Sequence, residues 1–403
     1  LGLKAQYGFA LLRARRFDEA EKAFQEVLKA DPDNRDALRH YSTLLSERLE
    51  TERADELLKR LQGLEPDDAD VAFRRALNFI EARRLDEAET VLRDLRSQLV
   101  AQKAPAAGIA SVDGQPGYVA LLRKDWPAAR AAVRPHLFEE DGSVNQQALN
   151  LLAQVARDSA DPAEGLKACR EAYAKQPKEL AVRALLAEFL LRSPKEKEKA
   201  EGEELVAAIA KDGRAGALAA ADVWQRLEKY DRAADAAAAA LVQYPDDPDL
   251  LFRQAASLER EKKVPEAVAA FEKLLALKPD HGAALNYLGY MFADRNENLD
   301  RALELVTKAV SLEPSNAAYL DSLGWIYFRL GKMEEAEKSL QTAKRLSPDD
   351  PTIEEHLGDL EEKRGNLAKA RERWTRALAL NPEDGGAAIR AKLERTATAA
   401  KAP

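Results

Sequence analysis

Prolines recur along this chain at an almost fixed interval. Pro32 and Pro66 are 34 residues apart; Pro245, Pro279, Pro314, Pro348 and Pro382 follow at steps of 34, 35, 34 and 34; Pro177 stands two periods before Pro245. Proline cannot continue a helix, because its ring clashes with the preceding turn and it lacks an N–H. A breaker every 34 residues, with few β-branched runs between, divides the chain into short helical hairpins. One such hairpin cannot bury its apolar face alone, so the hairpins must stack on one another.

Composition agrees with long, solvent-washed helices. Of 403 residues, 46% are hydrophobic and 33% charged, but only 6% aromatic. Alanine runs such as Ala236–Ala240 supply the residue of highest helix propensity. The formal net charge is −8, and no Lys/Arg stripe is present to displace phosphate counterions, which argues against a nucleic-acid partner. The run Lys195–Lys199 alternates in sign and reads as a solvated face. Cys169 is the single cysteine, so neither an internal disulfide nor a thiolate metal cluster can form. No apolar run is long enough to span a bilayer. The chain begins at Leu1 rather than Met, as expected of a trimmed or processed segment.

Other landmarks keep the same register. The first period carries Gly8, Ala20, Phe24 and Pro32. The tenth carries Leu320, Leu323, Gly324, Tyr327, Ala336, Leu340, Ala343 and Pro348, and the eleventh Leu357, Gly358, Ala370, Trp374, Ala377 and Pro382. A small residue at position eight and Ala at twenty let two helices approach closely, while a bulky residue at twenty-four fills the space beside them. These positions resemble the tetratricopeptide repeat over nearly the whole chain. The resemblance implies an all-α fold: a right-handed α-solenoid of about eleven helix-turn-helix repeats with a C-terminal capping helix.

The expected organisation is three repeats over 1–102, an irregular Pro/Gly linker or loop at 103–117, degenerate repeats four to seven over 118–247, and regular repeats eight to eleven over 248–384. A capping helix from Ala387 to about Arg395 and a frayed tail complete 385–403. The third repeat lacks its proline and extends its second helix through Val100. The fourth places Pro135 inside its second helix. Two prolines and three glycines in 103–117 argue against helix throughout.

Catalytic constellations are not evident. His40, His136, His281 and His356 fall in different repeats without metal-pair spacing, and the Glu354-Glu355-His356 run reads as an exposed helix face. Asp349, Asp350, Glu383 and Asp384 flank repeat-ending prolines, where acids favour the start of the next helix. No phosphate loop or nucleophile elbow is present. The expectation is a protein that is not an enzyme, with no cofactor and no metal.

The resemblance implies a concave groove lined by the first helix of each repeat, and a protein or peptide ligand within it. The candidate groove residues are Asn286, Tyr287 and Tyr290 in the ninth repeat, Asp321, Ser322, Trp325, Phe328 and Arg329 in the tenth, and Glu355, His356 and Asp359 in the eleventh. Aromatics interleaved with Asn, Asp and Arg suit a peptide surface, and Trp325 is the expected anchor, having no evident packing role. A second, more basic surface comprises Phe9, Arg39, His40, Phe73, Arg74 and Leu77, and would meet an acidic segment. The clamp with which some family members grip chaperone tails is not matched: its positions in repeats eight to ten hold Phe252, Ala256, Tyr287, Ala318 and Ser322. The last three repeats resemble bacterial proteins associated with the cell envelope, which favours a periplasmic-facing scaffold over a cytoplasmic one. The alternatives are a regulatory or targeting arm of a larger enzyme such as a glycosyltransferase, and self-assembly through repeats four and six.

Overall fold

A computed structural model describes residues 1–399 except 15, 49, 105, 140, 381, 383 and 384, and leaves out the side chains of 106, 107, 110, 398 and 399. Two compact units, 1–209 and 210–403, are described separately. The first holds α1 (Gly2–Arg13), α2 (Phe17–Ala30), α3 (Arg35–Glu47), α4 (Thr51–Leu64), α5 (Ala69–Glu81), α6 (Leu85–Ala101), α7 (Ala106–Asp113), α8 (Gln115–Leu122), α9 (Trp126–Val133), α10 (Gln146–Asp158), α11 (Pro162–Lys175), α12 (Leu180–Leu191) and α13 (Glu196–Ile209). The second holds α14 (Gly213–Arg226), α15 (Tyr230–Gln243), α16 (Pro248–Arg260), α17 (Val264–Leu277), α18 (Gly282–Asp294), α19 (Leu299–Leu312), α20 (Ala317–Arg329), α21 (Met333–Leu346), α22 (Pro351–Lys363), α23 (Leu367–Ala379) and α24 (Ala387–Ala399). Each unit is an α-solenoid of stacked hairpins.

The periodic prolines sit in the corners between hairpins. Pro32, Pro66, Pro245, Pro279, Pro314 and Pro348 each fall between the end of one hairpin's second helix and the start of the next hairpin's first. The following helix is then capped by a side chain: Asn34 accepts from the Ala37 N–H at 3.1 Å, Asp247 from Leu250 at 3.0 Å, Asn316 from Tyr319 at 3.3 Å and Asp350 from Ile353 at 3.2 Å. Asp349 and Asp350 are therefore corner residues, as expected; Glu383 and Asp384 lie outside the described residues.

In most hairpins three residues join the helices, with the middle one left-handed where it is described; four residues, 192–195, join α12 and α13. Arg83, Lys124, Ala160, Glu228 and Lys262 take this place with φ of 52–60°, and Gly331 and Gly365 take it with φ of 77° and 83°. The α18–α19 connection has four residues, 295–298, with both Asn296 and Asn298 left-handed. That single insertion accounts for the 35-residue step between Pro279 and Pro314.

Small residues on first helices admit bulky ones from second helices. A Cβ on Gly289 would meet Val306 Cγ2 at 2.5 Å and the Ala302 carbonyl oxygen at 3.0 Å. Gly8 faces Phe24, Gly324 faces Leu340 and Gly358 faces Trp374 in the same way. Val306, Phe24, Leu340 and Trp374 are all fully buried.

Three features differ from expectation. Much of 103–117 is helical, as α7 and the start of α8, because Pro116 falls in the first turn of α8, where no N–H is needed. Val112 and Val119 then bury against Leu92, Leu95 and Leu99. Pro135 does not lie within an α-helix: α9 ends at Val133 and a 3-10 helix covers Arg134–His136. The cap helix α24 runs to Ala399, a turn beyond Arg395, and buries Ile389 against Trp374; the tail beyond it lies outside the described residues. The prolonged third-repeat helix is present as α6. The 247/248 boundary expected between degenerate and regular repeats falls inside the second unit.

Gly289→Ala is expected to destabilise the protein by about 1–3 kcal/mol in urea unfolding followed by circular dichroism, since backbone as well as side chain blocks the new methyl. Gly63→Ala in α4, with no atom within 4 Å of its Cβ, is expected to be neutral or to stabilise by up to about 1 kcal/mol. Ala160→Gly, relieving a left-handed alanine, is expected to stabilise by about 1 kcal/mol in the same measurement.

Candidate functional site

Four first helices, α16, α18, α20 and α22, present one continuous face in the second unit. Their leucines and alanines turn toward the second helices, and Leu251, Leu285, Leu288 and Ile326 join one core with Phe271 and Val306. What remains on the other face bounds a cavity of about 740 Å³. Asn286, Tyr287, Tyr290, Asp321 and Ser322, all expected in the groove, line it together.

Tyr287 is half packing and half groove. Its ring stacks on Phe271 with centroids 5.1 Å apart and meets Phe252 edge-on at 6.1 Å. Its hydroxyl donates to Glu259 Oε2 at 3.0 Å. Tyr290, one turn on, is also half-buried, and burial together with the carboxylates of Asp294, Asp321, Glu355 and Glu259 pushes its phenol pKa upward. Asn286 Oδ1 is buried without a hydrogen-bond partner among the described residues. An acceptor in that position retains its full desolvation cost until a donor reaches it.

The other expected residues are not among those that line this cavity. Trp325 is only 7% exposed, so its assignment as a free anchor is corrected. Its indole lies between Phe328, with centroids 4.9 Å apart, and His356, at 4.2 Å, with the Arg329 guanidinium 5.5 Å from the ring. Successive first helices pack side by side, so a residue on the inner face of α20 meets α22 before it meets solvent. His356 and Glu354 are also buried, at 5% and 0% exposure, and not on an exposed helix face. Glu354 binds Arg373 at 3.1 Å, Arg376 at 2.8 Å and Lys344, tying α22 to α21 and α23.

His356 Nδ1 lies 2.9 Å from Asp321 Oδ1. Burial opposes its charge, but Asp321, with Asp359 and Glu355 farther off, outweighs that, and the imidazole pKa is raised. Glu355 and Asp359 are already occupied from within the chain. Lys392 of α24 reaches Glu355 at 2.6 Å and Asp359 at 2.7 Å, and the Trp374 indole N–H donates to Asp359 at 3.0 Å. Burial opposes the Lys392 charge, and the two carboxylates more than offset it, raising its pKa.

The amino-terminal surface is less basic than its composition suggests. Phe9 stacks on His40 at 4.2 Å. Arg39 is bound by Glu65 at 2.6 Å, Asp68 at 2.7 Å and Asp70 at 3.2 Å, and Arg74 by Asp70 at 2.7 Å. Phe73, Arg74 and Leu77 line a separate cleft of about 480 Å³. Cys169 is buried, which pushes its thiol up to about 12. Among the described residues, no helix is long and apolar enough to cross a membrane.

Two tetratricopeptide repeat family models match, one over residues 11–77 and the other over 218–281, 263–305 and 293–351. The chain is a tetratricopeptide repeat protein. A repeat-containing protein of Pseudomonas aeruginosa is 29% identical over 142 residues, which are 35% of this chain and 24% of that relative; the chain thus matches about a quarter of the relative's length. Among solved structures, a thermophilic repeat protein of Thermus thermophilus is 26% identical, covering 45% of this chain and 97% of its own, with a TM-score of 0.40. A repeat protein of Parabacteroides merdae is 15% identical, covering 62% and 98%, with a TM-score of 0.45. Yeast Tom70 is 15% identical, covering 99% and 96%, with a TM-score of 0.42.

Glu259 and Asp294 line the cavity and were not among the expected residues. Glu259 occupies in the eighth repeat the position that Phe328 occupies in the tenth, so the repeat register itself pointed to it.

The stability that His356 gains from Asp321 is fully present below the ordinary imidazole value of 6.5 and is lost as pH rises through the higher folded value. The urea midpoint of wild type should therefore fall toward that of His356→Gln as pH rises above about 6.5, the gap being widest at the acid end. A gap that widens with rising pH would contradict the assignment.

Proposed function

We propose that this chain is an adaptor that holds an extended segment of a partner protein against the groove formed by α16, α18, α20 and the start of α22. Tetratricopeptide repeats serve in general as protein-interaction scaffolds, and this chain is one in that broad sense. The observation that carries the finer reading is the cavity of about 740 Å³, in which aromatic rings and a buried acceptor without a partner meet. An extended segment has unpaired backbone N–H groups at regular intervals, one of which can satisfy Asn286 Oδ1. Tyr287 and Tyr290 offer rigid rings already held by packing, so little side-chain entropy is lost when they are covered. The lower part of the face is closed to a ligand: Trp325 is covered by its neighbours, and Lys392 holds Glu355 and Asp359.

A photo-reactive phenylalanine analogue replacing Ala318, an exposed residue lining the groove, tests this reading. In cells of the source organism it is expected to cross-link a partner protein. The yield is expected to fall at least about fivefold when Asn286→Ala and Tyr290→Ala are added, a loss of about 1 kcal/mol. The same analogue at Val242, 86% exposed on α15, reports background. Equal yields at the two sites, or no dependence on Asn286 and Tyr290, would overturn the assignment.

A further inference from the structure

The groove carries an unequal arrangement of charge. Glu259 stands on α16 and Asp294 on α18, with Tyr290 one turn before Asp294 on the same helix face. Asp294 is exposed and makes no ion pair or hydrogen bond among the described residues. Glu259 accepts the neutral Tyr287 hydroxyl at 3.0 Å. The charged groups that act most strongly on the Tyr290 phenol are all carboxylates.

Cations on the rim are mostly engaged elsewhere. Arg295 binds Glu297 at 3.0 Å, and Arg260 donates to the Tyr230 hydroxyl at 2.9 Å with its guanidinium 5.0 Å from that ring. Lys262 also lines the cavity, from the α16–α17 turn. The two remaining acids of the lining are already used, Asp321 by His356 and Asp350 as the cap of α22.

We propose that the segment held in this groove presents a lysine or arginine to the cavity, its cation received by Asp294 and Glu259 and its stem lying on the Tyr290 ring. Paired carboxylates beside an aromatic face suit a cation on an apolar stem, because the acids meet the charge while the ring covers the methylenes. An acidic side chain there would face two like charges without compensation. The chain already shows this chemistry two repeats on, where Lys392 joins Glu355 and Asp359 with its ammonium 5.9 Å from the Trp374 ring. This inference rests on the groove reading above.

Panning a phage-displayed library of random twelve-residue peptides against the full chain tests it. Peptides whose binding depends on Asn286 and Tyr290 are expected to be enriched in lysine or arginine. Synthetic versions of these are expected to bind a folded Glu259→Gln, Asp294→Asn variant about tenfold more weakly, and replacing the basic residue with glutamine should cost as much. Peptides that need Asn286 and Tyr290 but lack basic residues, or that bind the neutralised variant equally well, would overturn the cation site and leave the groove standing. A library yielding no peptide dependent on Asn286 or Tyr290 would overturn both.

Discussion

Close approach between the two helices of each hairpin is the constraint on which the rest depends. Where Gly289 faces Val306 and Gly358 faces Trp374, the contact leaves no room for a methyl group. That spacing fixes how far a first helix can sink onto its partner, and so which of its residues are left on the outer face. The proline corner and its side-chain cap then set where the next first helix begins, and identical corners bring successive first helices side by side. Asn286, Tyr287, Asp321 and Ser322 reach one cavity because two successive hairpins repeat this geometry.

The same stacking has a cost for function. Side-by-side first helices bury much of what would otherwise be groove, and polar residues caught between them must be paired. His356 and Asp321 solve that problem for each other, and Glu354 is met by three cations from neighbouring helices. Removing one partner of such a pair would leave a buried charge uncompensated. At the end of the array, α24 supplies Ile389 to the last apolar face and Lys392 to the last acidic pair, so the cap closes the polar face as well as the core.

Repetition made the fold legible. Proline spacing, position-eight glycines and position-twenty alanines are local requirements, and each appears directly in the residue order. The 35-residue step was visible too, although only the structure shows it as an extra residue in the α18–α19 turn. The helices at 106–122 were hidden because Pro and Gly were counted as breakers without regard to position: Pro116 in a first helical turn breaks nothing. The site was half legible. Residues that one helix alone exposes, such as Tyr290, followed from periodicity. Trp325 and His356 depend on the distance between α20 and α22, which no property of either helix specifies. Asp70, one partner of Arg39, comes from the next repeat, and Lys392, which binds Asp359, from the cap helix, so these charges looked free until the helices were stacked.

Hydrogen–deuterium exchange of the intact chain, resolved to short peptides by mass spectrometry, tests the dependence of the array on hairpin contacts most directly. If nearest-neighbour stacking holds the second unit together, slow exchange should recur hairpin by hairpin from α16 to α23. It should centre on the amides around Gly289, Gly324 and Gly358, with fast exchange at the three-residue turns and proline corners. Uniformly fast exchange across α16–α23, or protection without relation to the repeat, would contradict it.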